Sequence, residues 1–112
     1  MPSVRAHRIA LAPATALGMA VALFAVQAAR ADDAAIGREI YDEHCIRCHG
    51  KQMVAPAGLA IDLRKFPRNE SARFKRSVLK GTAKGMPAWE GQLSAEDIQA
   101  LWDYLNSVKS DG

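Results

Sequence analysis

Apolar positions recur near the end of this chain with the period of a helix. Ile98, Leu101, Trp102, Leu105 and Val108 fall at i, i+3, i+4, i+7 and i+10, a single stripe on one face. The residues before the stripe mark where that helix begins. Ser94 as N-cap and Asp97 three residues on form a capping box, and Leu93 and Ile98 sit where a hydrophobic staple would. Ile36, Gly37, Ile40 and Tyr41 trace a second stripe and predict a helix over about 33–44, with Asp32 and Asp33 favourably placed against the dipole at its start. Phe74 and Val78 predict a shorter helix over about 70–80, with Asn69 as N-cap and Gly81 as its stop. The intervening stretches, 50–68 and 81–93, carry Pro56, Gly58, Pro67, Gly85 and Pro87 and read as loops. Strand signals are scarce and there are no repeats. The pattern predicts an all-α domain of three main helices. The stripe of the last helix must bury against something, and the first helix, with a glycine that permits close approach, is the natural partner.

Ahead of this domain lies a segment of a different kind. Arg5 and Arg8 precede an uncharged, mostly apolar run from Ile9 to Val26, and Ala29-Arg30-Ala31 is a small-x-small site. This predicts a secretory signal peptide over 1–31, cleaved near Ala31, and an exported, periplasmic domain over 32–112. The alternative is an uncleaved membrane anchor. Pro13, Gly18 and the small-residue site favour cleavage, so a membrane association is expected only if the segment is kept.

Cleavage changes the charge argument. The whole chain of 112 residues carries a formal +3, but Arg5, Arg8 and Arg30 leave with the signal while all twelve acidic residues remain. The remainder is formally neutral, so its charge gives no reason to expect a nucleic-acid partner, and no nucleic-acid motif is present. Arg64, Lys65, Arg68, Arg73, Lys75, Arg76, Lys80 and Lys84 nevertheless crowd into one stretch, with only Glu70 among them. Such a run is either a solvated face or a collar that steers an acidic partner.

The chemistry is concentrated in Cys45-Ile46-Arg47-Cys48-His49, which has the attachment pattern of a c-type haem. The two thiols add across the haem vinyl groups, and the histidine that follows is placed to bind the iron. A disulfide or redox dithiol is the plainer alternative, but no βαβ pattern surrounds the motif. A structural zinc site needs four Cys or His ligands. Beyond the signal only Cys45, Cys48 and His44 or His49 offer themselves. A domain this small also buries little core of its own, and a covalently held porphyrin supplies a large apolar body to pack around.

With the motif, Gly37 and Tyr41 lie eight and four residues before the first cysteine, and Leu101 and Tyr104 lie three apart on the last helix. In these features, over essentially all of residues 33–109, the chain resembles the class I mono-haem cytochromes c. The resemblance implies the cytochrome c fold, with helices wrapped around one covalent haem c. It implies Cys45 and Cys48 as the thioether residues, His49 as proximal iron ligand and Met86 as distal ligand. Met53 follows His49 too closely to reach the opposite face of a rigid ring, whereas Met86 lies far enough along the chain to wrap round the haem edge. It further implies a proline carbonyl that orients the proximal histidine, for which Pro56 is the candidate. His44 is expected to point away from the iron, and Trp89 and Trp102 to pack rather than to relay electrons.

The implied function is electron transfer by a periplasmic, monomeric carrier that is not an enzyme. Its partners are redox proteins. The Asp62-Leu63-Arg64 stretch and the Gly85-Met86-Pro87-Ala88-Trp89 loop look like those of small cytochromes serving quinoprotein alcohol dehydrogenases, which makes such an enzyme the expected donor and a terminal oxidase or another cytochrome the acceptor. The alternatives are a haem subunit of a fixed redox complex, or a haem enzyme or gas sensor with a labile sixth ligand. Met86 and the lack of a distal acid–base residue argue against the last.

Overall fold

The computed structural model describes residues 15–110, with side chains from residue 20 onward. The charged start of the expected signal, with Arg5, Arg8 and Pro13, lies outside the described residues. Four helices follow one another: α1 (Thr15–His44), α2 (Ile46–His49), α3 (Ser71–Lys80) and α4 (Ala95–Ser107). Two single 3₁₀ turns, Lys51–Met53 and Leu63–Lys65, punctuate the long loop between α2 and α3. Among the described residues no strand forms, and a lone bridge joins Glu90 to Leu93. The all-α expectation holds.

α1 is longer than its stripe predicts. It runs unbroken through Ala29–Ala31, where the sequence places the cleavage site, because residues 20–31 are mostly Ala with Val, Leu and Phe and hold neither Gly nor Pro. The described side chains of that upstream stretch are exposed, Val21, Leu23, Phe24 and Val26 among them. Burial begins at Ala34 and is complete at Gly37. No helix among the described residues is long and apolar enough to cross a membrane.

The core is the crossing of α1 and α4. Gly37 is where they meet. A Cβ there would stand 1.9 Å from the Ala100 carbonyl oxygen, so only glycine lets the backbones come this close. One turn on, Tyr41 meets Tyr104 edge-on with ring centroids 5.5 Å apart, an arrangement the aromatic quadrupole favours. Ile98, Leu101 and Leu105 fill the rest of the seam and are 2% exposed or less. The capping box at the start of α4 is present on both sides: the Asp97 amide donates to Ser94 Oγ (3.0 Å), and the Ser94 amide donates to the Asp97 carboxylate (2.8 Å).

α3 is amphipathic as expected, with Phe74 and Val78 buried. Phe74 stacks against Trp102 and Phe66, so α3 leans on α4 through an aromatic cluster. Its N-cap is Glu70 rather than Asn69, with no side-chain cap bond. Pro67 accounts for the shift: the Glu70 amide donates back to the Pro67 carbonyl, so a turn occupies 67–70 before the helix can start.

Candidate cofactor site

The cysteine motif sits at a break in the helix. α1 ends at His44, Cys45 occupies a turn, and α2 is the single turn Ile46–His49. Backbone bonds carry the chain across the break: the Cys45 amide donates to Tyr41 (2.8 Å), and the Cys48 and His49 amides both donate to Cys45 (3.2 and 2.9 Å). Cys45, Cys48 and His49 are thus held on consecutive turns of nearly helical backbone, which fixes their relative placement. Tyr41 adds a tie from beneath. Its hydroxyl donates to the Gly50 carbonyl at 2.6 Å, anchoring the residue just after His49 to the crossing helix. Burial, with Cys45 nearby, pushes the Tyr41 phenol well above its ordinary range, so it stays a donor.

Both cysteines are free. Cys48 is exposed, while Cys45 is half-buried against the core. Burial pushes the Cys45 thiol up to about 11, with Cys48 adding to the shift. His49 is half-buried, and its Nδ1 lies 3.4 Å from the Ile61 carbonyl oxygen. Burial lowers its pKa, and the contact with Ile61 partly offsets that. A neutral imidazole with Nδ1 engaged leaves Nε2 as the nitrogen available to a metal.

The acceptor at Nδ1 corrects an expectation. Pro56 was the candidate, and Ile61 fills that place. Pro56 instead closes a local turn, its carbonyl accepting from the Leu59 amide at 3.2 Å. That turn carries the chain back toward His49 five residues later.

Met86 lies in the 81–93 loop, half-buried and packed against the same core cluster as Cys45. Its loop folds back on the end of α3. The Thr82 amide donates to the Met86 carbonyl (3.0 Å), the Trp89 amide to Val78 (3.0 Å) and the Glu90 amide to Leu79 (3.2 Å). Gly81 ends α3 with φ of 71°, and a Cβ there would lie 2.4 Å from the Met86 carbonyl oxygen. Met53, the other methionine of the domain, is 1% exposed and belongs to the core.

Other contacts around the site go beyond the sequence reading. The His44 ring lies against Trp89, centroids 5.0 Å apart, which brings the Met86 loop to the residue beside Cys45. And much of the basic stretch is already paired. Arg64 grips Asp62 through two nitrogens, at 3.0 and 2.6 Å, and holds that carboxyl below the usual carboxylate range. Arg73 pairs with Glu70 and lies over the Phe66 ring. Lys75 reaches Gln99, and Lys80 reaches Glu90, each at 2.6 Å.

The donor set fits a haem. Two unpaired thiols and an imidazole with its second nitrogen oriented stand on one turn. The following loop turns Val54, Leu59 and Ile61 outward, 47–59% exposed, an apolar surface of the kind a porphyrin edge covers. Among the described residues no group of His, Cys, Asp or Glu is arranged to hold a metal ion by itself.

Comparison with known proteins agrees with this chemistry. The chain matches the family model described as cytochrome c oxidase, cbb3-type, subunit III, over residues 32–105. It is similar to the cbb3-type cytochrome c oxidase subunit FixP of Bradyrhizobium diazoefficiens, 35% identical over 82 residues that make up 68% of this chain and 28% of that subunit. It is similar to cytochrome c6 of Microcystis aeruginosa, 37% identical over 80 residues, covering 68% of this chain and 98% of that protein. It also resembles cytochrome c550 of Pseudomonas aeruginosa, 33% identical over 82 residues, covering 68% of this chain and 56% of that protein. The chain thus spans about a quarter of the length of the oxidase subunits it matches. No solved structure is matched at a significant level.

Proposed function

The chain belongs to the cytochrome c family that includes subunit III of cbb3-type oxidases and is a class I mono-haem c-type cytochrome with covalently bound haem c, and from that premise we propose that it is an exported one-electron carrier whose haem is held by Cys45 and Cys48 and ligated by His49 and Met86. Bound there, haem c supplies a one-electron couple at its iron. The polypeptide does the rest. Cys45 and Cys48 retain the group from one helical turn. The Ile61 carbonyl orients His49. A thioether opposite an imidazole raises the potential relative to a second histidine, which suits a carrier.

The observation that carries this reading is the turn itself: two free thiols and a half-buried imidazole with Nδ1 engaged. Were His49 and Met86 both to hold the iron, they would leave it without a free position for a substrate. His44 is the only other histidine among the described residues, and its ring is engaged with Trp89. The protein works by burial and fixed ligation, and its partners dock through small, transient interfaces. Lys65, Arg76 and Lys84, which form no ion pair among the described residues, are the positions from which steering of an acidic partner would operate.

Export rests on the 1–31 signal with cleavage near Ala31, and the family match beginning at residue 32 supports that boundary. The narrower resemblance to cytochromes serving quinoprotein alcohol dehydrogenases draws no support from the relatives, which are named as oxidase subunits and as cytochromes c6 and c550. The FixP similarity favours a second reading, a haem subunit in a fixed redox complex with an oxidase. Gel filtration of an extract, followed by haem absorbance, separates the two: a carrier elutes as a small monomer and a subunit with its complex.

Intact mass of the exported protein tests the proposal itself. The expected species is residues 32–112 plus one haem, and Cys45→Ser or Cys48→Ser should weaken haem retention. A mass that keeps residues 1–31 contradicts cleavage, and a haem-free product of the cysteine-intact chain contradicts the attachment assignment.

A further inference from the structure

The site is built from two halves. Cys45, Cys48 and His49 belong to the end of α1 and to α2, whereas Met86 belongs to the loop after α3. The backbone bonds that shape the Met86 loop all run to itself or to α3: Thr82 to Met86, Trp89 to Val78 and Glu90 to Leu79. The Lys80–Glu90 ion pair also stays on that side. None of them ties the loop to the half that carries the cysteines.

The His44–Trp89 contact does. His44 is bonded directly to Cys45, and Trp89 follows Met86 by three residues. Their ring centroids are 5.0 Å apart with planes tilted by 52°. His44 Nε2 lies 3.7 Å from the exposed Glu43 carboxylate, so the imidazole meets the indole with its ring while its polar edge is turned toward that carboxylate.

We infer that the His44–Trp89 ring contact is the brace that holds the Met86 loop against the cysteine-bearing helix, making His44 a positioning residue for the distal ligand. The inference rests on the proposed ligation by His49 and Met86. Were Met86 to leave the iron by an outward movement of its loop, that movement would separate the two rings. Removing the contact therefore favours the state in which an outside ligand takes the sixth position. An aromatic pair of this kind corresponds to roughly a two- to tenfold change in that equilibrium.

The test is cyanide binding to the oxidised, haem-loaded protein. His44→Ala should retain covalent haem and bind cyanide roughly two- to tenfold more readily than the parent. His44→Phe, which restores a ring without the imidazole nitrogens, should return binding toward the parent. Leu105→Val weakens the helix crossing without removing the ring contact and serves as the control for general destabilisation; it should raise cyanide binding less than His44→Ala does. If His44→Ala does not accumulate, His44→Gln removes the ring and keeps the polarity, and carries the same expectation. Equal cyanide binding by parent and ring-less variants overturns the inference, and so does an equal rise in Leu105→Val. A parent protein without a Met–iron absorption band would instead overturn the ligation on which the inference rests, so the two failures are distinguishable.

Discussion

The α1–α4 crossing and the two loops at 50–68 and 81–93 are built on different terms. The crossing is apolar and closely packed. Gly37 lets two backbones touch, Tyr41 and Tyr104 interlock, and Leu105 is 0% exposed. The Tyr41 hydroxyl there is bonded to the Gly50 carbonyl, and no buried side-chain nitrogen or oxygen among the described residues lacks a partner. The loops carry apolar side chains outward, hold Gln52 and Met53 at positive φ, and place His49 Nδ1 on a long contact to Ile61. The crossing specifies the fold, while the loops specify what the fold holds. In a domain this small the two tasks are divided by region, so variants in one should move stability and variants in the other should move iron ligation.

That division can be broken experimentally. Leu105→Ala should have the largest effect on stability, a loss of roughly 2–5 kcal/mol in denaturant unfolding, because the seam cannot collapse around the missing side chain. Gly37→Ala should cost about 1–3 kcal/mol, despite the ~1 kcal/mol that alanine gains over glycine inside a helix, since its Cβ meets the Ala100 carbonyl. Both variants should leave the Met–iron band of the surviving folded protein in place; loss of the band would mean that crossing and loops are not separable. Tyr41→Phe removes the tie to Gly50 and should cost about 1 kcal/mol. It is the crossing variant best placed to disturb His49, so a shift in potential larger than that of Leu105→Ala would sharpen the boundary between the regions. Ser94→Ala should cost up to about 1 kcal/mol by removing one side of the capping box, with no change in potential.

The same division explains what could be read from the sequence. The capping box at Ser94, the stripe of α4 and the close approach at Gly37 are local or periodic features, and each appears where the pattern places it. Tyr104 is the aromatic that meets Tyr41, while Trp102 turns to Phe66 and Phe74. The loops have no period. Pro56 was the reasonable acceptor for His49, but the path of the chain between two breakers decides which carbonyl arrives, and Ile61 is the one that does. The pairing of Lys75 with Gln99 and of Lys80 with Glu90 joins residues whose adjacency only the fold creates. The same is true of His44 with Trp89. α1 extends upstream of its stripe for a different reason: residues 20–31 hold no breaker that would stop a helix there.

The central claim is that the chain grips one haem between His49 and Met86. The direct test is the Met–iron absorption band in matched methionine variants of the haem-loaded protein. Met86→Ala should keep covalent haem, lose the band and lower the reduction potential, while Met53→Leu, altered in the buried core, should keep the band. A band that survives in Met86→Ala and disappears in Met53→Leu would contradict the account.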